Sequence, residues 1–424
     1  MRSFYVARRA RAWVLSIILG ASPALAAHGA DTPLTLDAAV RRGLLQAPLV
    51  AARGEDIDAM REQAVRAGRL PDPSLTLGVS NYPVTNPGAF GWRADPMTMR
   101  AVGITQAIPS RASRAAERRL AAANIDVAAA DRAASEQTVQ ERIADAWIGV
   151  WAYGKQRSLL QQLQDESGLA VRIATARLRG GDGSATDVLA ARAETLMLEN
   201  RLTAAAARLR GAKASLQRWL GARIAALGAA PDFAHLAQNP AEFERSIDVE
   251  APLLVLQARE RVAAAALAEA RAAKHPNWSV GVSYGNRAPG LSDMVTLEIG
   301  VSLPLFGHNR QDRGISAQHA EWRAAQANRE DARRAQREAV ARALASWQGW
   351  GQQIARDRDA LLPLARDRAR TALAAYRGGA PLEPWLDARR DEIQLRLKYV
   401  DALAARAELW ASLAYLLPSP QESP

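Results

Sequence analysis

The sequence contains no cysteine, which excludes a disulfide framework, a thiolate metal site and a cysteine-borne lipid anchor. Histidine is nearly as scarce, with five in 424 residues, so a dense imidazole site is not expected. Aromatic residues make up only 5%, whereas about a fifth of the chain is alanine, a composition suited to long, closely packed helices rather than to a deep-pocketed enzyme. Gly-x-x-x-x-Gly-Lys-Ser/Thr, His-Glu-x-x-His and Gly-x-Ser-x-Gly are all missing, so nucleotide-driven and hydrolytic chemistry have no motif to rest on. The reading is therefore of a protein that is not an enzyme and needs no cofactor. Beyond the first 26 residues no stretch reaches 18 uninterrupted apolar residues, so insertion into a membrane would have to be by β-strands.

Acids are missing from those first 26 residues, which hold Arg2, Arg8, Arg9 and Arg11 ahead of an apolar run from Trp13 to Leu25. Ala24-Leu25-Ala26 supplies the small residues of a cleavage site, so residues 1–26 read as a signal peptide. The run is too short for a spanning helix and contains Pro23. The formal charge of the whole chain, +11, falls to +7 without those four arginines. The basic clusters Arg114 to Arg119 and Arg366 to Arg370 lack interleaved aromatics and read as solvated helix faces, not as a nucleic-acid surface.

What is present repeats itself at half length. Pro73-Ser74-Leu75-Thr76-Leu77-Gly78-Val79-Ser80 aligns with Pro276-Asn277-Trp278-Ser279-Val280-Gly281-Val282-Ser283. Trp147 with Gly149 aligns with Trp347 and Gly349, Arg179-Gly180-Gly181 with Arg377-Gly378-Gly379, and Ala214-Ser215-Leu216 with Ala411-Ser412-Leu413. The spacing stays near 200, so the chain holds two copies of one unit. The first copy covers 27–221, with strands at about 73–83 and 97–108, a long helix at about 110–178 and a return helix at about 187–220. An equatorial linker follows over 222–250. The second copy covers 251–418, with strands at about 276–286 and 294–304, a long helix at about 309–377 interrupted only by Pro363, and a return helix at about 385–416.

Alternation marks the strands: Trp278, Val280, Val282 and Tyr284 share one face, as do Val295, Leu297, Ile299, Val301 and Leu303, with polar or small residues between. Leu75, Leu77 and Val79 repeat this, while Arg100 falls on the face of Val102 and Ile104. Periodicity alone fits an amphipathic sheet over a soluble core. Four strands of about ten residues joined by polar loops also fit a transmembrane barrel, which four strands cannot close without further copies of the chain. Along the helices, Ile143, Trp147 and Val150 keep i, i+4, i+7 spacing, and Leu202, Leu209, Leu216 and Leu386, Ile393, Val400 step by seven. Such seams pack against neighbouring helices.

From Leu34-Thr35-Leu36-Asp37-Ala38-Ala39 to Leu417 the chain resembles the TolC family of outer-membrane efflux factors. Its most specific pieces are Arg179-Gly180-Gly181 with Thr186-Asp187-Val188-Leu189-Ala190-Ala191-Arg192, and the stretch from Tyr376 to Arg389. The resemblance implies an α+β membrane protein in which long antiparallel coiled-coil helices form a tunnel and each subunit gives four strands to a twelve-stranded barrel. It further implies a homotrimer in the outer membrane of a Gram-negative bacterium, contacting outer-membrane lipid and working with a periplasmic adaptor and an inner-membrane RND-type pump. In the family the two helical turns are the periplasmic tips that meet the adaptor, here Gly180, Gly181, Asp182, Gly183 and Thr186 in the first and Gly378, Gly379, Pro381 and Glu383 in the second. The second turn, with Pro381 and Pro384, reads as one residue shorter. Leu70-Pro71-Asp72-Pro73, Met97-Thr98-Met99 and Gln106-Ala107-Ile108-Pro109 resemble the CzcC-type branch that serves heavy-metal efflux, although Ser110-Arg111 stands where that branch has glycine and a basic residue. Exit ducts for drugs or for type I secretion share the fold, and a secreted helical scaffold is a more distant alternative.

Threefold symmetry would bring Asp187 and Asp387 into carboxylate rings at the narrow end, a candidate aperture gate. A surface acid near a helix N-terminus is the equal alternative for each. Met97 and Met99 invite a copper reading, but methionines at i, i+2 on a strand more often share one face as packing. His275 and His308, at strand ends, fit the membrane interface better than metal ligation. No residue is assigned to a metal.

Overall fold

A computed structural model describes residues 33–85, 87–92 and 95–416. The signal peptide expected at 1–26 and the last residues of the second copy, 417–418, lie outside the described residues.

Helix α1 (Leu36–Gln46) starts where the Thr35 side chain accepts from the Ala38 N–H, and α2 (Pro48–Arg66) follows with proline in its first turn. Strands β1 (Ser74–Ser80) and β2 (Met99–Ile108) lead into α3 (Arg111–Gly180), 70 residues or about 105 Å long, and α4 (Ala185–Leu220) returns beside it. Between the copies lies α5 (Pro240–Arg245), opened by a capping box of Asn239 and Glu242. The second copy runs α6 (Ala251–Ala272), β3 (Trp278–Asn286), β4 (Met294–Val301), α7 (Gln311–Arg356), α8 (Leu362–Arg377) and α9 (Glu383–Ala414).

Three features depart from the sequence reading. Each copy has a helix ahead of its strands: α2 packs on α3, while α6 lies against both α3 and α7. Pro363 does not end the long helix. One π-turn over Asp357–Leu361 joins α7 to α8 and absorbs the hydrogen bond that the proline cannot donate. The strands are also shorter than read, and Met97 lies in the turn before β2, its N–H bonded to Asp95 Oδ1, so Met97 and Met99 do not share a strand face.

The helices meet in a core centred on Trp147, with Leu36, Val40, Ile143, Val150, Leu209, Leu216 and Leu220 around it and Ala144, Ala407 and Ala411 where backbones approach closely. That close approach accounts for the alanine content. The aligned tryptophans of the two copies do the same work: Trp147 Nε1 donates to Leu34 O at 2.9 Å and Trp347 Nε1 to Phe233 O at 3.1 Å, each pinning an equatorial segment to a long helix. Lower down, Leu386, Ile393 and Val400 are buried along α9.

Strand order is β1-β2-β3-β4, all antiparallel. The register lines up Leu75, Ile104, Val282 and Leu297 in one row and Leu77, Val102, Tyr284 and Val295 in the next. Residues directly opposite share a face, so the apolar side chains form one surface, interrupted by Gln106 opposite Val280 and, at one end, by Arg100 between Val79 and Asn286. They are exposed: Leu77 is 74% accessible, Leu297 78% and Ile299 70%. β1 and β4 each leave an unpaired edge.

Candidate functional site: the two tip turns and the open sheet

The two tip turns are built alike. Gly181 closes α3 with φ +84°, and Gly379 follows α8 with φ +105°, backbone angles that glycine adopts without strain. In each turn four steps separate that glycine from the first residue of the return helix, Ala185 or Glu383. The second turn is therefore not shorter. The caps differ: Ser184 Oγ accepts the Asp187 N–H at 3.1 Å and contacts the Thr186 hydroxyl, whereas α9 starts from buried Leu382 and carries Pro384 in its first turn. Gly183 sits so close to α3 that a Cβ there would come within 2.9 Å of the Arg177 Cβ and the Leu178 N.

Arg177 joins the turns. Its Nη1 donates to Tyr376 O at 2.7 Å and Ala380 O at 3.3 Å, its Nη2 to Asp182 O at 2.8 Å, and its guanidinium lies 4.4 Å from the centre of the Tyr376 ring. Tyr376 is fully buried and stacks on Trp385 with ring centres 5.9 Å apart. Burial and the nearby Asp187 carboxylate push the Tyr376 phenol up, with Arg177 pulling the other way.

Gly180, Gly181, Asp182, Gly183, Thr186, Gly378, Gly379, Pro381 and Glu383 all lie in or beside this double turn. The two acids proposed for the aperture occupy different levels. Asp187 is the third residue of α4, and Asp387 is the fifth of α9, where Arg390 reaches it at 3.1 Å and also pairs with Glu194 on α4. Above them Arg389 links Glu166 and Glu392, and Arg396 also pairs with Glu392. The sequence pattern held no signal for the rungs that cross between copies, Arg389 to Glu166, Arg390 to Glu194 and Arg177 to Tyr376 O, because these partners lie about 200 residues away.

At the equator, Glu250 is fully buried at the start of α6 and neither carboxylate oxygen has a hydrogen-bond partner among the described residues. Burial, reinforced by Glu141, raises it to about 7, with the Gln336 amide offsetting part of the effect. Glu141, Asp145 and Glu408 are shifted upward as well, each chiefly by burial. Among the described residues no three His, Asp or Glu are grouped to hold a metal ion. His275 lines a hollow with Asn277, Leu303, Phe306 and Arg310 where the sheet meets the helices, and His308 lies in the short turn before α7.

The structure thus combines an open antiparallel sheet whose apolar face is exposed with helices of about 100 Å that end in two paired turns. Residues 25–222 match the family described as outer membrane efflux protein. The whole fold resembles that of a membrane protein from Pseudomonas aeruginosa (TM-score 0.77, 19% identity, 92% of this chain and 91% of that one). It also resembles CusC (0.73, 18%, 90% and 92%) and the outer membrane protein VceC from Vibrio cholerae (0.73, 17%, 90% and 95%). Among curated proteins none matches the chain in sequence. The family match thus falls on the first copy of the repeat, and the solved channel structures share the fold of the whole chain.

Proposed function

We propose that the protein is the outer-membrane exit duct of a tripartite efflux system. Three copies close a twelve-stranded barrel, and their helices form a tunnel toward a periplasmic adaptor and an inner-membrane RND-type pump. The observation that carries this reading is the register-aligned apolar face of the sheet with its two free edges. Lipid would cover such a face, and edges in lipid must be paired by further copies. The tip turns are the adaptor contact, and the Arg177 clasp and the Arg389–Arg390 ladder hold the tunnel end closed at rest. Asp187 and Asp387 are the aperture acids, with Asp387 the more restrained through Arg390.

The cargo is heavy-metal cations, a reading supported by the CzcC-type motifs at Leu70–Pro73, Met97–Met99 and Gln106–Pro109. Selection among metals falls to the pump, because a wall of Ala, Arg, Asp and Gln offers no coordination set that distinguishes one ion from another. Deleting the gene lowers tolerance to at least one of zinc, cobalt, cadmium, copper or silver and changes tolerance to large hydrophobic drugs little. A deletion strain sensitive to drugs but indifferent to all five metals overturns the metal assignment and leaves a general efflux duct.

A further inference from the structure

The face of the sheet opposite the apolar one is small and almost uncharged. It consists of Ser74, Thr76, Gly78 and Ser80 on β1, Met99, Ala101, Gly103, Thr105 and Ala107 on β2, then Ser279, Gly281, Ser283 and Gly285 on β3 and Met294, Thr296, Glu298 and Gly300 on β4. Glu298 is the one ionisable side chain among these strand residues. Register places it in a row with Gly281, Thr105 and Ser74. Gly281 offers no side chain to cover it, and a Cβ there would lie 3.7 Å from the Glu298 Cβ. Glu298 is exposed, and no hydrogen bond or ion pair ties it to another described side chain. The one arginine in these strands, Arg100, points to the opposite face.

We infer that Glu298 sets the charge preference of the barrel interior: three symmetry copies form a carboxylate ring that draws hydrated cations into the lumen and disfavours anions. This rests on the trimeric-duct reading. A rival role exists, because an inward charge on an edge strand also discourages wrong pairing between chains. The two differ in what a mobile ion feels.

The absence of cysteine makes the lumen potential measurable. Thr296→Cys introduces a single thiol two residues from Glu298 on the same face. Its reaction rates with a cationic and an anionic methanethiosulfonate, added outside intact cells and normalised to a free thiol, report the local field. A carboxylate about 7 Å away favours the cationic over the anionic reagent by about eightfold unscreened, about fivefold at 0.01 M salt and about threefold at 0.1 M. Adding Glu298→Gln should remove that factor, Glu298→Asp should keep it, and 1 M salt should abolish the difference between the two. An unchanged ratio in Glu298→Gln overturns the inference while leaving the duct intact, and leaves the anti-pairing role as the account of this side chain. If Thr296→Cys is unreactive to both reagents while Leu297→Cys reacts with them, the polar face does not line a water-filled lumen and the barrel reading itself fails.

Discussion

Arg177→Ala should loosen the closed end of the tunnel. The substitution removes three hydrogen bonds from one guanidinium to Tyr376 O, Ala380 O and Asp182 O, and the contact of that guanidinium with the Tyr376 ring. A half-buried charged donor contributes less than the roughly 1.5–3 kcal/mol of a fully buried charged hydrogen bond, and the ring contact adds about 0.5–1 kcal/mol. The bond to Asp182 O lies within the first hairpin, so the bonds to Tyr376 O and Ala380 O and the ring contact are what hold the two hairpin ends of one subunit together, by about 1.5–3 kcal/mol. At 1.4 kcal/mol per tenfold, separation of the hairpins becomes about 10- to 140-fold more frequent. Single-channel recording in a planar bilayer reads this as longer or larger openings in Arg177→Ala than in the parent. Arg177→Lys keeps the charge but not the planar fork and should fall between them. If Arg177→Ala assembles normally and its conductance and open time match the parent, the clasp does not hold the end closed.

Other outcomes follow from the same packing. Trp147→Phe loses the indole donor to Leu34 O, but that carbonyl still accepts the Gly228 N–H at 2.9 Å, so the cost is about 1 kcal/mol for the bond plus about 1 kcal/mol for lost volume, read as a lower urea midpoint. Glu250 binds its proton more tightly folded than unfolded, so its contribution is favourable below about pH 4.5 and is lost as pH rises through about 7. Glu250→Gln should therefore raise the melting temperature more at pH 8 than at pH 5, by at most about 3 kcal/mol of stability, and an equal shift at both pH values would contradict the burial argument.

Much of the architecture is legible in the residues because it rests on short periods. Alternation over Trp278–Tyr284 and Val295–Val301 defines the strand faces, and seven-residue steps along Leu386, Ile393 and Val400 define a packed seam. The near-200 spacing exposes the duplication, and Trp147 and Trp347 show that the aligned residues do equivalent work. Helices α2 and α6 are less legible. Alanine fills so much of α6 that no apolar stripe separates from the rest, and α2 buries only Val50 and Ile57 fully. The π-turn ahead of Pro363 is hidden because a proline in sequence marks a break, whereas here helical backbone continues through it with α9 alongside. At the tips, the glycines and Asp187 are visible as a turn followed by a capped helix. Arg177 is not, since Tyr376 O and Ala380 O come from the other copy and only folding brings them to it.

The central claim is that one chain supplies a third of a closed barrel. Native mass measurement of the protein extracted in mild detergent tests it directly. The account predicts three copies as the smallest folded species, because each subunit leaves the free edges of β1 and β4 to be paired in lipid. A folded monomer that persists in detergent and reinserts alone into a bilayer would contradict it.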